Sequence, residues 1–199
     1  MTAVGGSGAR DEPSPAGRRA PLQLRVGGAS REELHTRLAK LGIQLNDGAR
    51  TLLEDSCFDT RAPETLEVVQ RSLQQLGLAS GGTLPQITAA ARAQGLAPLP
   101  PDAGPYLRLA ITDQGQAPDS ILSAGRAPTG AVHVHSVPLR ADHDYPKGFY
   151  LRVVDGVTWL RAFRCDDEYV WPADAVLALR APEGGGVPAS SDREAVPEC

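Results

Sequence analysis

With 199 residues, 41% of them hydrophobic, the chain can bury a sizeable core, and its length suits one domain with tails. A net charge of −4 gives no overall attraction to a polyanion, so any nucleic-acid contact is confined to a local patch. Cys57, Cys165 and Cys199 form no CxxC pair, which argues against a disulfide framework and fits a reducing cytoplasm. The N-terminus has no apolar signal core, and no run approaches the roughly 18 apolar residues of a membrane span, so a soluble cytoplasmic protein without a membrane partner is expected.

Residues 1–21 are rich in Gly, Ser, Pro, Ala and Arg, lack periodicity, and are expected to form a disordered tail. Leu22, Leu24 and Val26 alternate with Gln23 and Arg25, the pattern of a short strand. Ser30 and Glu33 stand at the spacing of a capping box and predict a helix whose apolar stripe is Leu34, Leu38 and Leu41, closed by Gly42. Asn46 is placed to cap a second helix through Leu52 and Leu53. Leu66, Val69, Leu73 and Leu76 predict mostly helix over 63–78, although Leu66, Val68 and Gln70 also fit a strand. Thr83 and Gln86 form a second capping box with Pro85 in the first turn, and Gly95 ends that helix.

A proline-rich stretch from Leu96 to Pro105 marks a change to β periodicity. Tyr106–Thr112 then reads as a strand, residues 113–130 as a long loop, Ala131–Val137 as a strand and Val176–Leu179 as another. Between them, GFYLRVVDGVTWLRAFR over 148–164 is a hairpin turning at Asp155-Gly156, because a two-residue loop needs positive φ at both positions. Counting outward from the loop pairs Val154 with Val157, Arg152 with Trp159 and Phe149 with Ala162. One face then carries Phe149, Leu151, Val153, Leu160 and Ala162, and the other carries Tyr150, Arg152, Trp159 and Arg161. Tyr106-Leu-Arg108 echoes the alternation of Tyr150-Leu-Arg152 and Trp159-Leu-Arg161.

The Tyr150, Arg152, Trp159 and Arg161 face is the first candidate binding site, since guanidinium forks suit carboxylates and phosphates and aromatic faces suit bases. Arg152 opposite Trp159 is placed for a cation–π contact. His133 and His135 share one face of a strand and, with His143 between Asp142 and Asp144, form a candidate metal-ligand set. No GxSxG elbow, P-loop or GxGxxG after a strand occurs, so no catalytic residue and no cofactor is assigned.

RVGGASREEL, LGIQLN, GPYLRL, GFYLRVVDGVTWLRAFR and the later Trp171 resemble an uncharacterised family of small bacterial proteins, over most of the chain between Leu24 and Arg180. Some members carry the label helicase, which does not fit a chain without a phosphate-cradling loop and its lysine. The resemblance implies no activity, ligand or catalytic residue. Long tails and the His133 strand are this chain's departures from it.

The expected architecture is α+β: residues 22–180 as a single domain, helical over about 22–96 and packed on a small, mainly antiparallel sheet over about 105–180, with a second disordered tail at 181–199. The expected function is a non-enzymatic protein-binding or adaptor module using the aromatic and arginine face, on which replacing Arg152 and Arg161 by alanine abolishes capture with the fold intact. The alternatives are a small metal-dependent hydrolase using His133, His135 and His143, and single-stranded nucleic-acid binding.

Overall fold

The structure is a computed structural model that describes residues 20–121, 126–142 and 144–182. The expected tails therefore lie outside the described residues, apart from the two or so residues next to the domain at each end. Among the described residues seven strands make one mixed sheet. They are β1 (Leu22–Val26), β2 (Gln44–Leu45), β3 (Glu64–Ser72), β4 (Val132–Val134), β5 (Gly148–Val154), β6 (Val157–Phe163) and β7 (Val176–Arg180). Their spatial order is β1-β3-β7-β4-β5-β6-β2, antiparallel except where β4 runs parallel to β7 and β2 parallel to β6. The helices are α1 (Arg31–Lys40), α2 (Asp47–Leu53), α3 (Cys57–Thr60), α4 (Leu84–Ala93) and α5 (Ala103–Ala110).

The protein is thus α+β, but the division into a helical first half and a β second half does not hold. β1 and β3 lie in the first half and pair with each other, and α5 lies in the second. Residues 64–72 form a strand rather than a helix because both sides of β3 are buried. Leu66 and Val68 enter one apolar cluster and Val69 the other, so the apolar residues fall at spacings that imitate a helical stripe. The reverse happens at 103–110. α5 is covered so completely, down to Arg108 at 2% exposure, that its pattern reads as a strand. The Tyr106-Leu-Arg108 echo of the strand pattern therefore sits on a helix. A Cβ on Gly104 of α5 would stand 2.5 Å from the Phe149 ring, so glycine is what lets this helix lie against β5.

Local signals hold elsewhere. Ser30 Oγ accepts from the Glu33 amide at 3.2 Å, and Glu33 Oε2 accepts from the Ser30 amide at 2.8 Å. Leu34 and Leu38 are fully buried, but Leu41 at the end of α1 is 60% exposed, because the chain turns at Gly42 and Ile43 enters the core instead. Asn46 Oδ1 caps α2 through the Ala49 amide at 3.0 Å. The same side chain also pairs with the backbone N–H and C=O of Ala162 at 2.9 and 3.1 Å, extending the short β2–β6 ladder. The β5–β6 hairpin turns at Asp155 (φ 50°) and Gly156 (φ 75°) with every cross-strand pair in the counted register.

The core is two apolar clusters on opposite sides of the sheet. Leu24, Leu34, Leu38, Leu53, Phe58, Leu66, Phe149, Leu151 and Leu160 pack together beneath α1, α2 and α5. Val69, Leu73, Ile87, Ala91, Trp171, Leu177 and Leu179 form the other cluster, under α4. No helix among the described residues is long and apolar enough to cross a membrane.

Candidate functional site

The second face of the sheet is where polar chemistry collects. Alternation along β4, β5 and β6 puts His133, Tyr150, Trp159, Arg161 and Phe163 on this side, while their neighbours Val132, Val134, Leu151, Leu160 and Ala162 join the first cluster. Tyr169 and Trp171 follow on the segment after β6. Trp171 is held there by reciprocal backbone hydrogen bonds with Gly82, at 2.9 and 3.0 Å.

Together these residues wall a cavity of about 330 Å³. His133, Tyr150, Phe163, Tyr169 and Trp171 supply its aromatic lining, and Arg126, Arg161 and Arg164 its charge; among the described residues no Asp or Glu lines it. The rings meet mostly edge to face: Trp171 stands 4.7 Å from His133, 5.1 Å from Phe163 and 5.5 Å from Tyr169, at interplanar angles of 84–86°. Arg161 Nε donates to the Tyr150 hydroxyl at 2.7 Å, and its guanidinium lies 5.0 Å over the Trp159 ring. That contact replaces the expected one between Arg152 and Trp159.

Arg152 has a different task. It is fully buried beneath the described residues on either side of 122–125, where Nε donates to the Thr129 carbonyl at 3.0 Å and Nη2 to the Asp119 carbonyl at 2.9 Å and carboxylate at 2.7 Å. Nη1 donates to the Ile121 carbonyl. A buried guanidinium needs its donors satisfied, and the loop satisfies them better than an indole face can. Hydrogen bonds from the Thr129 hydroxyl and then from Arg152 hold the Asp119 carboxyl down to about 2. Anchoring Thr129 in this way brings the adjoining Arg126, Ala127 and Pro128 to the cavity, where the Ala127 amide donates to the Tyr169 hydroxyl at 2.6 Å. Of the four residues first singled out, Tyr150 and Arg161 therefore line the cavity, Trp159 backs Arg161, and Arg152 anchors the loop.

His133 lies at the sheet's centre, 1% exposed, and neither ring nitrogen has a hydrogen-bond partner among the described residues. Burial pushes its imidazole down to about 4, opposed by the Val176 backbone, which stays outside hydrogen-bond geometry. Burial does the same to His135, whose Nε2 lies 3.3 Å from the Thr88 hydroxyl. His133, Phe163 and Trp171 also bound a smaller cavity of about 190 Å³ beside α4. Its one lysine, Lys147, already donates to the Ala141 and Asp142 carbonyls at 2.9 and 2.8 Å. Among the described residues no three His, Cys, Asp or Glu side chains converge as a metal-binding group, and His143 lies outside the described residues. Cys57 and Cys165 are pushed up to about 12 and about 11, mainly by burial, which keeps both thiols protonated at neutral pH.

Sequence reasoning missed Arg126, Phe163, Arg164 and Tyr169. Phe163 was within reach, since it continues the Trp159, Arg161 alternation by one step. Arg126 carries no local signal, because only the Arg152 anchor brings it to the site. No family model, no curated protein and no solved structure matches this chain.

Proposed function

We propose that this protein is a non-enzymatic binding module whose recognition site is the cavity containing Tyr150 and Arg161, and that it captures a group bearing an oxyanion. What carries the reading is the charge of the lining: among the described residues, three arginines and no carboxylate, on a protein whose net charge is −4. Guanidinium groups pair with carboxylates and phosphates through two parallel N–H donors. The same chemistry serves a free small molecule and an acidic group projecting from a partner protein.

The test is thermal stabilisation by inorganic phosphate and by acetate at fixed ionic strength. A ligand at a hundred times its Kd stabilises by about 2.7 kcal/mol, so the Tm of the wild type rises with the anion. The chain carrying Arg126→Gln, Arg161→Gln and Arg164→Gln shows no rise. An equal rise in both proteins, or in neither, overturns the reading. Competition between phosphate and an acidic peptide separates a free ligand from a protein-borne one.

A further inference from the structure

Resting on that reading, the lining of the cavity also says what the oxyanion is attached to. We propose that the cavity takes a small planar aromatic oxyanion, one flat ring system bearing a carboxylate or a phosphate, with the ring against Phe163, Tyr169 and Trp171 and the anion at Arg126, Arg161 and Arg164.

Three observations converge on this ligand. A volume of about 330 Å³ sits at the low end of the roughly 300–1,000 Å³ of small-molecule sites, room for one ring system with a substituent. The apolar part of the wall is largely aromatic and comes from separate elements: β4, β5, β6 and the segment carrying Tyr169 and Trp171. Edge-to-face contacts among the rings set Trp171 at right angles to its neighbours, which presents both ring edges and ring faces to an incoming flat group. Thirdly, two lining residues, His133 and Trp171, which also border the smaller cavity, carry three of the six buried side-chain nitrogen and oxygen atoms that have no hydrogen-bond partner among the described residues: both nitrogens of His133 and Trp171 Nε1. Folded proteins pair nearly all such groups, and clusters of exceptions mark places where a ligand or water completes the network. The indole N–H is a donor, and a neutral imidazole offers one donor and one acceptor, a set that suits the substituents of a ring more than an alkyl chain.

The opposite assignment, a cationic ligand in an aromatic cage, fails on charge. Cages for ammonium groups rely on ring faces free of competing cations, and here Arg161 and two further guanidinium groups line the same space. The arginines repel such a ligand and leave the rings to an anion.

Titration calorimetry at constant ionic strength tests the proposal with five probes: 2-naphthoate, 2-naphthamide, decahydro-2-naphthoate, adenosine monophosphate and inorganic phosphate. The wild type is expected to bind 2-naphthoate or the nucleotide at least about five-fold more tightly than the saturated acid, the gain that ring contacts supply. Loss of the charge in 2-naphthamide weakens binding about ten-fold or more. The nucleotide against the naphthoate distinguishes a phosphate-bearing from a carboxylate-bearing ligand. Arg126→Gln, on an exposed side chain, lowers affinity for every anionic probe and leaves the naphthamide unchanged. If phosphate and both acids bind with arginine dependence but the saturated acid equals the aromatic ones, the ring assignment is wrong and the anion reading stands. If no probe binds, both are wrong.

Discussion

The two sides of this sheet follow different rules, although the same strands build both. The first side is closed in the ordinary way: Phe149, Leu151, Leu160 and Ala162 meet α1, α2 and α5, and every strand contributes apolar residues to a continuous cluster. The second side is continuous only beneath α4. Towards β5 and β6 its side chains become Tyr150, Arg152, Trp159 and Arg161, and among the described residues loop segments rather than a helix cover Arg152. A closed apolar face repays the entropy of folding, whereas a face that carries charge is held in place by its surroundings.

The largest effect is expected at the cover of the second side. Arg152→Ala removes the side chain that, among the described residues, holds the Asp119, Ile121 and Thr129 carbonyls together, and each hydrogen bond lost from a charged donor costs about 1.5–3 kcal/mol. Urea denaturation reads this directly. The same variant should also lose anion binding where it still folds, because Arg126 is no longer positioned. A wild-type midpoint would show that the loop is not anchored there. This differs from the expectation that alanine at Arg152 leaves the fold intact.

Neighbouring residues on β6 give a sharper contrast. Leu160→Ala opens a cavity in the closed side and should cost about 2–5 kcal/mol while leaving the anion affinity of the folded protein unchanged. Arg161→Gln should do the reverse, losing affinity for phosphate with a stability change within about 1 kcal/mol. If both variants changed the same property, the two sides would not be functionally distinct.

A graded effect, smaller over any one pH unit than those substitutions, comes from acid. The folded His133 and His135 imidazoles take up a proton only near pH 4, whereas in the unfolded chain they do so near 6.5. Unfolding therefore binds protons in that interval. The stability these groups contribute is fully present above pH 6.5 and is lost as the pH falls towards 4, by at most about 1.4 kcal/mol per pH unit for each histidine. Denaturation midpoints between pH 7 and pH 4.5 should decline accordingly, and His133→Phe should flatten the decline by about half. An unaltered slope in that variant would place the acid sensitivity elsewhere.

Much of the fold was legible in the chain, and the reasons are local. Asp155-Gly156 sets a hairpin loop whose register follows by counting, and Ser30, Asn46 and Thr83 mark helix starts by chemistry confined to four residues. The errors at β3 and α5 share one cause. Where an element is buried on several sides, hydrophobic periodicity stops reporting its geometry. The site was half legible for a related reason: Tyr150, Arg161 and the unread Phe163 follow from alternation along one hairpin, but nothing in a strand's period says what will cover it.

The sequence by itself thus determined the hairpin, the helix caps and which residues of β5 and β6 share a face, because steric limits on φ and hydrogen bonds within a few residues decide those features. Only the tertiary structure decided that β7 inserts between β3 and β4, that Arg152 is an anchor rather than a contact, and that Arg126, His133 and Trp171 meet around one cavity. These outcomes depend on groups tens of residues apart competing for the same partners. For Arg152, a set of loop carbonyls 23 to 33 residues away outbid the indole across the strand.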